Sequence, residues 1–240
     1  MDDFSILEQA EFADNPEPRC PVVLLLDTSG SMNGAPIAQL NAALGTFKDE
    51  LMNDPLASLR VEVCIIAFGG SVRALDVREG MGGDHIAIDA QTAFTTVDMF
   101  APPRLNAHGA TPMGQAVQQG LALLRERKEI YKENSIDYFR PWMFLITDGR
   151  PTDTWQGAAQ QIKMEEGRKG LSFFGIGVEG ADMKTLGQYS DQRPPLKLKG
   201  LAFSELFSWL SRSLSAVAHS KLGEQVPLPP VGWGQVETSS

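Results

Sequence analysis

The chain has 240 residues, 42% of them hydrophobic and 21% charged, which excludes wholesale disorder and fibrous architectures. The apolar run from Pro21 to Leu26 is far short of the roughly 20 residues a membrane span needs, so no membrane association is expected. The net charge is −9 and no basic stripe interrupts it, so nucleic acid is not an expected partner.

Residues 1–18 form an acidic segment (Asp2, Asp3, Glu8, Glu11, Asp14, Glu17) without a base. That is the reverse of the positive start of a secretory leader, and the expected location is cytoplasmic. Pro21 to Asp27 reads as a strand buried on both faces, ending in Thr-Ser-Gly-Ser. Pro36 suits the first position of a helix whose inward stripe is Ile37, Leu40, Leu44, Phe47 and Leu51. Arg60 to Phe68 is a second strand, Gly69-Gly70 a turn, and Ser71 to Val77 an antiparallel edge strand. Residues 78–110 are irregular, with a short strand near Thr95, and a long Gly-containing loop in a compact domain points to function.

Thr111-Pro112 opens a long helix with Met113, Val117, Leu121 and Leu124 inward. Pro141 to Thr147 is another buried strand, again ending in an aspartate, Asp148. Helices at Gln156 to Lys169 and Asp182 to Tyr189 alternate with strands at Leu171 to Val178 and Leu196 to Lys199. Ala202 to His219 closes the series as an amphipathic helix. This alternation predicts an α/β fold: a doubly wound, mostly parallel sheet with one antiparallel edge strand and helices on both faces. One domain is expected over residues 19–219. Residues 220–240 form a proline-rich tail expected to lie along the domain's surface, with partner binding as the alternative.

In such sheets, ligands bind at the carboxyl ends of the strands, where strand order reverses. Asp27, Ser29 and Ser31 alternate after the first strand, Asp148 follows a central strand, and Thr111 starts a helix at the same edge. Two carboxylates and three hydroxyls are hard oxygen donors, a set that suits Mg²⁺, with Mn²⁺ or Ca²⁺ as alternatives. Each motif alone reads more readily as a cap or turn than as a ligand. Their delivery by three separate loops to one edge is what favours a site.

Asp27-x-Ser29-x-Ser31 with Thr111 and Asp148 resembles the metal-ion-dependent adhesion site of von Willebrand factor A domains. Asn15 to Met32 and the Pro227-Leu-Pro-Pro-Val-Gly-Trp233 tail further resemble the bacterial TerY/YegL-type members associated with tellurite resistance. The resemblance implies that Ser29, Ser31 and Thr111 hold the metal directly and the aspartates largely through water. A partner's Asp or Glu carboxylate then completes the shell. It also implies a non-enzymatic role beside kinase-like and phosphatase-like proteins of a stress-response operon. An alternative within the family is an assembly subunit that acts through other surfaces, with its metal site empty.

Two rival readings come from the residues. Ser29, His108 and Asp148 have the residue types of a hydrolase triad, but no Gly-x-Ser-x-Gly elbow is present and the chain order differs. Gly175-Ile-Gly177-Val-Glu-Gly180 matches a dinucleotide fingerprint but follows a late strand, with Glu179 placed to repel a pyrophosphate. Parallel pairing of the first two strands is expected to set Cys64 beside Leu24, about four residues along from Cys20. At about 3.3 Å per residue that separation is too great for a disulfide, so both are expected as free thiols.

Overall fold

The computed structural model describes residues 12–81 and 85–236. Strand β1 (Cys20–Asp27) is buried along its whole length, because an aliphatic run without polar alternation must be sheltered on both faces. Helix α1 (Ala35–Met52) and the short α2 (Pro55–Arg60) lead to β2 (Val61–Gly69), which turns into β3 (Ser71–Leu75). After α3 (Ala90–Ala93) and the two-residue β4 (Thr95–Thr96) comes the long α4 (Met113–Glu133). The second half comprises β5 (Trp142–Thr147), α5 (Gln156–Gly167), β6 (Ser172–Gly177), α6 (Met183–Leu186), β7 (Leu196–Leu198), α7 (Phe203–Ala218) and β8 (Gly234–Val236).

The strands form one sheet in the order β3-β2-β1-β5-β6-β7-β8, with β4 also pairing β2. From β2 to β7 the neighbours are parallel, and β3 is antiparallel to β2. The doubly wound, mostly parallel sheet with an antiparallel edge strand is therefore as expected. At the opposite edge β8, from the proline-rich tail, adds another antiparallel strand.

Period-two alternation along β1 divides the core. Val22, Leu24 and Leu26 face a layer containing α1, α2 and α7, while Val23 and Leu25 face one containing α3, α4 and α5. The inward stripe expected on α1 is buried as read, and so is that on α4. Cys64 pairs with Val23, one residue short of the expected Leu24. Cys20 and Cys64 belong to the two different layers, so the thiols point away from each other as well as lying apart, and both are free.

A polar cluster interrupts the apolar interior at the amino-terminal end of β2. The fully buried Glu62 accepts from Arg19 Nε at 2.8 Å, from Arg127 Nε at 3.0 Å and Nη2 at 2.8 Å, and from the Tyr131 hydroxyl. Burial alone would raise this carboxyl. The Arg127 and Arg19 guanidinia and the phenol overcome it and hold Glu62 below the usual glutamate range, so it stays ionised. The opposite end of the sheet is thereby left for chemistry. There β1 and β5 lie side by side at the point where strand order reverses.

Candidate metal centre

The two strands at the reversal point end in Asp27 and in Thr147, followed by Asp148. Asp27 folds its own loop back: its Oδ1 accepts from the Ser29 amide at 2.7 Å, an Asx turn. Its Oδ2 accepts from the Thr147 hydroxyl across the strand pair. Beyond an extended Ser29, a single 3₁₀ turn over Gly30–Met32 brings Ser31 back beside it. The Ser29 and Ser31 hydroxyl oxygens lie 3.1 Å apart, and Ser31 donates to Asp148 Oδ1 at 2.7 Å.

Thr111 arrives from the third loop. Its amide donates to Thr152 Oγ1 at 3.0 Å, and the Thr152 amide returns a bond to the Thr111 carbonyl at 2.9 Å. A Cβ built on Gly149 would lie 3.2 Å from Thr111 Oγ1 and 3.8 Å from Asp27 Oδ2, so both flank one point. All five residues singled out in the sequence thus converge at one end of the sheet.

Capping does not account for the hydroxyls. Ser29 precedes the 3₁₀ turn yet makes no side-chain cap bond, and α4 has Pro112 rather than Thr111 at its cap position. The Met113 amide at the start of α4 donates to the Thr111 carbonyl at 2.8 Å, and the next two are satisfied by Asp153, which accepts from Gly114 at 3.0 Å and Gln115 at 2.8 Å. Asp153 and Thr147 support the site and were missed in the sequence reading. Their partners lie 38 or more positions away, beyond any local motif.

The loops are also stacked by backbone bonds. His108 N donates to Thr28 O at 2.8 Å, Gly30 N to Gly109 O at 3.0 Å, and Gly70 N to Ala110 O at 2.8 Å. The glycine this stacking demands is Gly109. Its φ is +72°, and a Cβ there would sit 2.5 Å from Gly70 Cα. The bulkier His108 and Ala110 beside it are both exposed.

Burial raises both site carboxyls above the usual aspartate range. For Asp27, hydrogen bonds from Thr147 and Ser29 oppose the rise and the charge of Asp148 adds to it; for Asp148, the Ser31 bond opposes it. Among the described residues neither carboxylate has an ion pair with a Lys, Arg or His. Nor do three His, Cys, Asp or Glu side chains group there as a metal site. A cation at this point would therefore meet two carboxylates and three hydroxyls, two of them bonded only within the same cluster. That donor set fits a hard divalent ion and offers no soft ligand.

The family model of the von Willebrand factor type A domain matches residues 22–197. The chain belongs to that family. The A-domain fold is also found in the pilus adhesin SpaC of Lactobacillus rhamnosus GG in its open conformation. That structure superposes with a TM-score of 0.59 at 14% identity, over 83% of this chain and 30% of the adhesin. Proximal thread matrix protein 1 from the mussel byssus, solved with a zinc-occupied MIDAS motif, gives a TM-score of 0.52 at 15% identity over 83% and 48%. The vWF domain of the type V pilus tip protein Mfa5 from Porphyromonas gingivalis gives 0.51 at 11% identity over 85% and 98%. The chain thus spans about half of the mussel protein and under a third of the adhesin. A comparison with curated proteins finds no match.

The rival motifs take on ordinary roles in this A domain. The His108 ring is exposed and faces the Asn106 carbonyl at 3.3 Å, while Ser29 and Asp148 both bond to Ser31. In the glycine-rich stretch, a Cβ on Gly177 would lie 3.0 Å from Ala181 Cβ as well as against the Met183 side chain, so the glycine suits the close packing of β6 against the turn into α6. The four-residue α6 that follows is too short to present a dinucleotide site. Among the described residues no helix is long and apolar enough to cross a membrane.

Proposed function

We propose that this A domain is a non-enzymatic protein-binding module whose Asp27, Ser29, Ser31, Thr111 and Asp148 hold Mg²⁺ and through it grip an acidic residue of a partner. The observation that carries the reading is the convergence of three hydroxyls with two buried carboxylates that have no cationic partner among the described residues. Ser29, Ser31 and Thr111 would hold the ion directly, with Asp27 and Asp148 supplying charge from behind. When bound, the ion offers an electrophilic position to an incoming carboxylate. The chain's own part is rigidity: the Asx turn at Asp27, the Thr111–Thr152 exchange and the stacked backbone hold the donors in place before any ligand arrives. The zinc-occupied motif of the mussel protein supports a divalent ion as the class.

The resemblance to TerY/YegL-type sequences supports a finer setting: a cytoplasmic stress response of the tellurite-resistance kind, with kinase-like and phosphatase-like partners. Affinity capture from lysate tests the proposal. Partners retained by the wild-type chain in Mg²⁺, and released by EDTA or by Ser29→Ala, are the expected result. The same partners retained under all three conditions would refute it.

A further inference from the structure

The strap between α7 and β8 is not used by the metal centre. Its sequence, Val226-Pro-Leu-Pro-Pro-Val231, contains three prolines, each with φ fixed near −65° and no amide hydrogen to give to a ladder. Such a segment favours the polyproline II helix, which has three residues per turn and no internal hydrogen bonds. Residues 225–231 carry no helix or strand and no backbone–backbone hydrogen bond among the described residues.

Exposure along the strap follows the same period of three. Val226 and Pro229 are half-buried, and Val226 packs on the core. Pro227 and Pro230 are exposed, and so are Leu228 at 37% and Val231 at 38%. This is the pattern expected of a polyproline helix laid on the domain by its Val226–Pro229 ridge, with Pro227, Pro230 and Val231 outward and Leu228 at the margin of the cavity that Val226 also lines.

The strap is tied at its middle and just past its carboxyl end. Trp209 Nε1 donates to the Pro229 carbonyl at 2.8 Å and Lys199 Nζ to the Gly232 carbonyl at 2.9 Å. Trp233 is buried against Trp209, the ring centroids 5.7 Å apart, immediately before β8. Proline-recognising domains grip this kind of surface, seating residues of a preformed polyproline helix in an aromatic-lined groove.

We propose that residues 226–231 are a preassembled polyproline ligand for a partner protein with an aromatic-lined, proline-binding groove. Pro227 and Pro230 form one recognition ridge, and Leu228 and Val231 the other. Because the domain already holds the strap extended, binding costs little further ordering. The contact is apolar and separate from the metal donors, so it does not depend on Mg²⁺.

The test titrates the full chain, in EDTA, against a panel of purified SH3 and WW domains, with size-exclusion chromatography alongside. Saturable binding by at least one domain is expected. Pro227→Ala with Pro230→Ala should weaken it by about tenfold or more, the scale of one lost anchor contact. Leu228→Glu with Val231→Glu should do the same, and neither pair should change the melting temperature. The proposal is overturned if no domain binds, or if binding survives both double variants. It is equally overturned if the strap instead joins two copies of the chain, seen as a dimer that both variants dissolve.

Discussion

Ser29 and Thr111 stand beside helix starts and Ser31 within a 3₁₀ turn, yet no cap bond engages the Ser29 hydroxyl and α4 does not take Thr111 as its cap. At α4 the Asp153 carboxylate takes the Gly114 and Gln115 amides from the far side of the site. Asp153→Ala should therefore cost about 1 kcal/mol, the usual worth of a cap, with a fall in melting temperature of about 2–4 °C for a chain of this size. A thermal melt checks it, and an unchanged melt would mean that another group caps α4. Gly109 is under a stricter demand, since its φ of +72° and its approach to Gly70 leave no room for a Cβ. Gly109→Ala should destabilise by about 1–3 kcal/mol and weaken Mg²⁺ binding, because the loop bearing Thr111 must move off the Gly69-Gly70 turn and disturb the Gly30 amide's bond to the Gly109 carbonyl. Calorimetric titration of the variant measures the second effect. The five site residues were legible in the sequence because each adjoins the end of a strand or the start of a helix. Thr147, Thr152 and Asp153 were not, because they act on residues 38 to 120 positions away.

At the scale of elements, legibility followed the strength of the repeating pattern. The runs of β1, β2, β5 and β6 are apolar throughout, and the stripes of α1, α4 and α7 keep helical spacing, so each was placed within one or two residues. Helix α2 was overlooked although Asp54 and Pro55 mark its start, because six residues cannot display a periodicity. Strand β8 had no local signal, since Gly-Gln-Val is a strand only because β7 offers a free edge. What secures that edge is Trp233, 4% exposed and packed on Trp209 of α7. Trp233→Ala should destabilise the domain by about 3–5 kcal/mol, the range for removing a buried large aromatic. Urea unfolding at neutral pH checks it. A loss below about 1 kcal/mol, within the range of ordinary surface changes, would mean that β8 is an ornament on the sheet.

At the scale of the whole molecule, the two ends of the sheet are treated in opposite ways. One end buries a carboxylate matched by two guanidinia and a phenol, and the other buries two carboxylates that take hydroxyl and amide donors but, among the described residues, no cation. Glu62 is held below its unfolded value, so its stabilisation is complete above the ordinary glutamate range, about 4.3, and is lost as pH falls through the lower folded value. Glu62→Gln should cost about 3–5 kcal/mol at neutral pH, and its deficit against the wild type should shrink as pH drops below about 4. Unfolding curves at both pH values decide this, and a deficit constant with pH would mean that the charge is not what binds the cluster. The unmatched end is where a cation would add stability by mass action. The most direct measurement is the thermal melt of the full chain with and without Mg²⁺, alongside Ser29→Ala. Saturating Mg²⁺, at about a hundred times its dissociation constant, should stabilise the wild type by about 2.7 kcal/mol and leave the variant unmoved. Equal responses, or none in the wild type up to millimolar Mg²⁺, would contradict a metal centre at Asp27, Ser29, Ser31, Thr111 and Asp148.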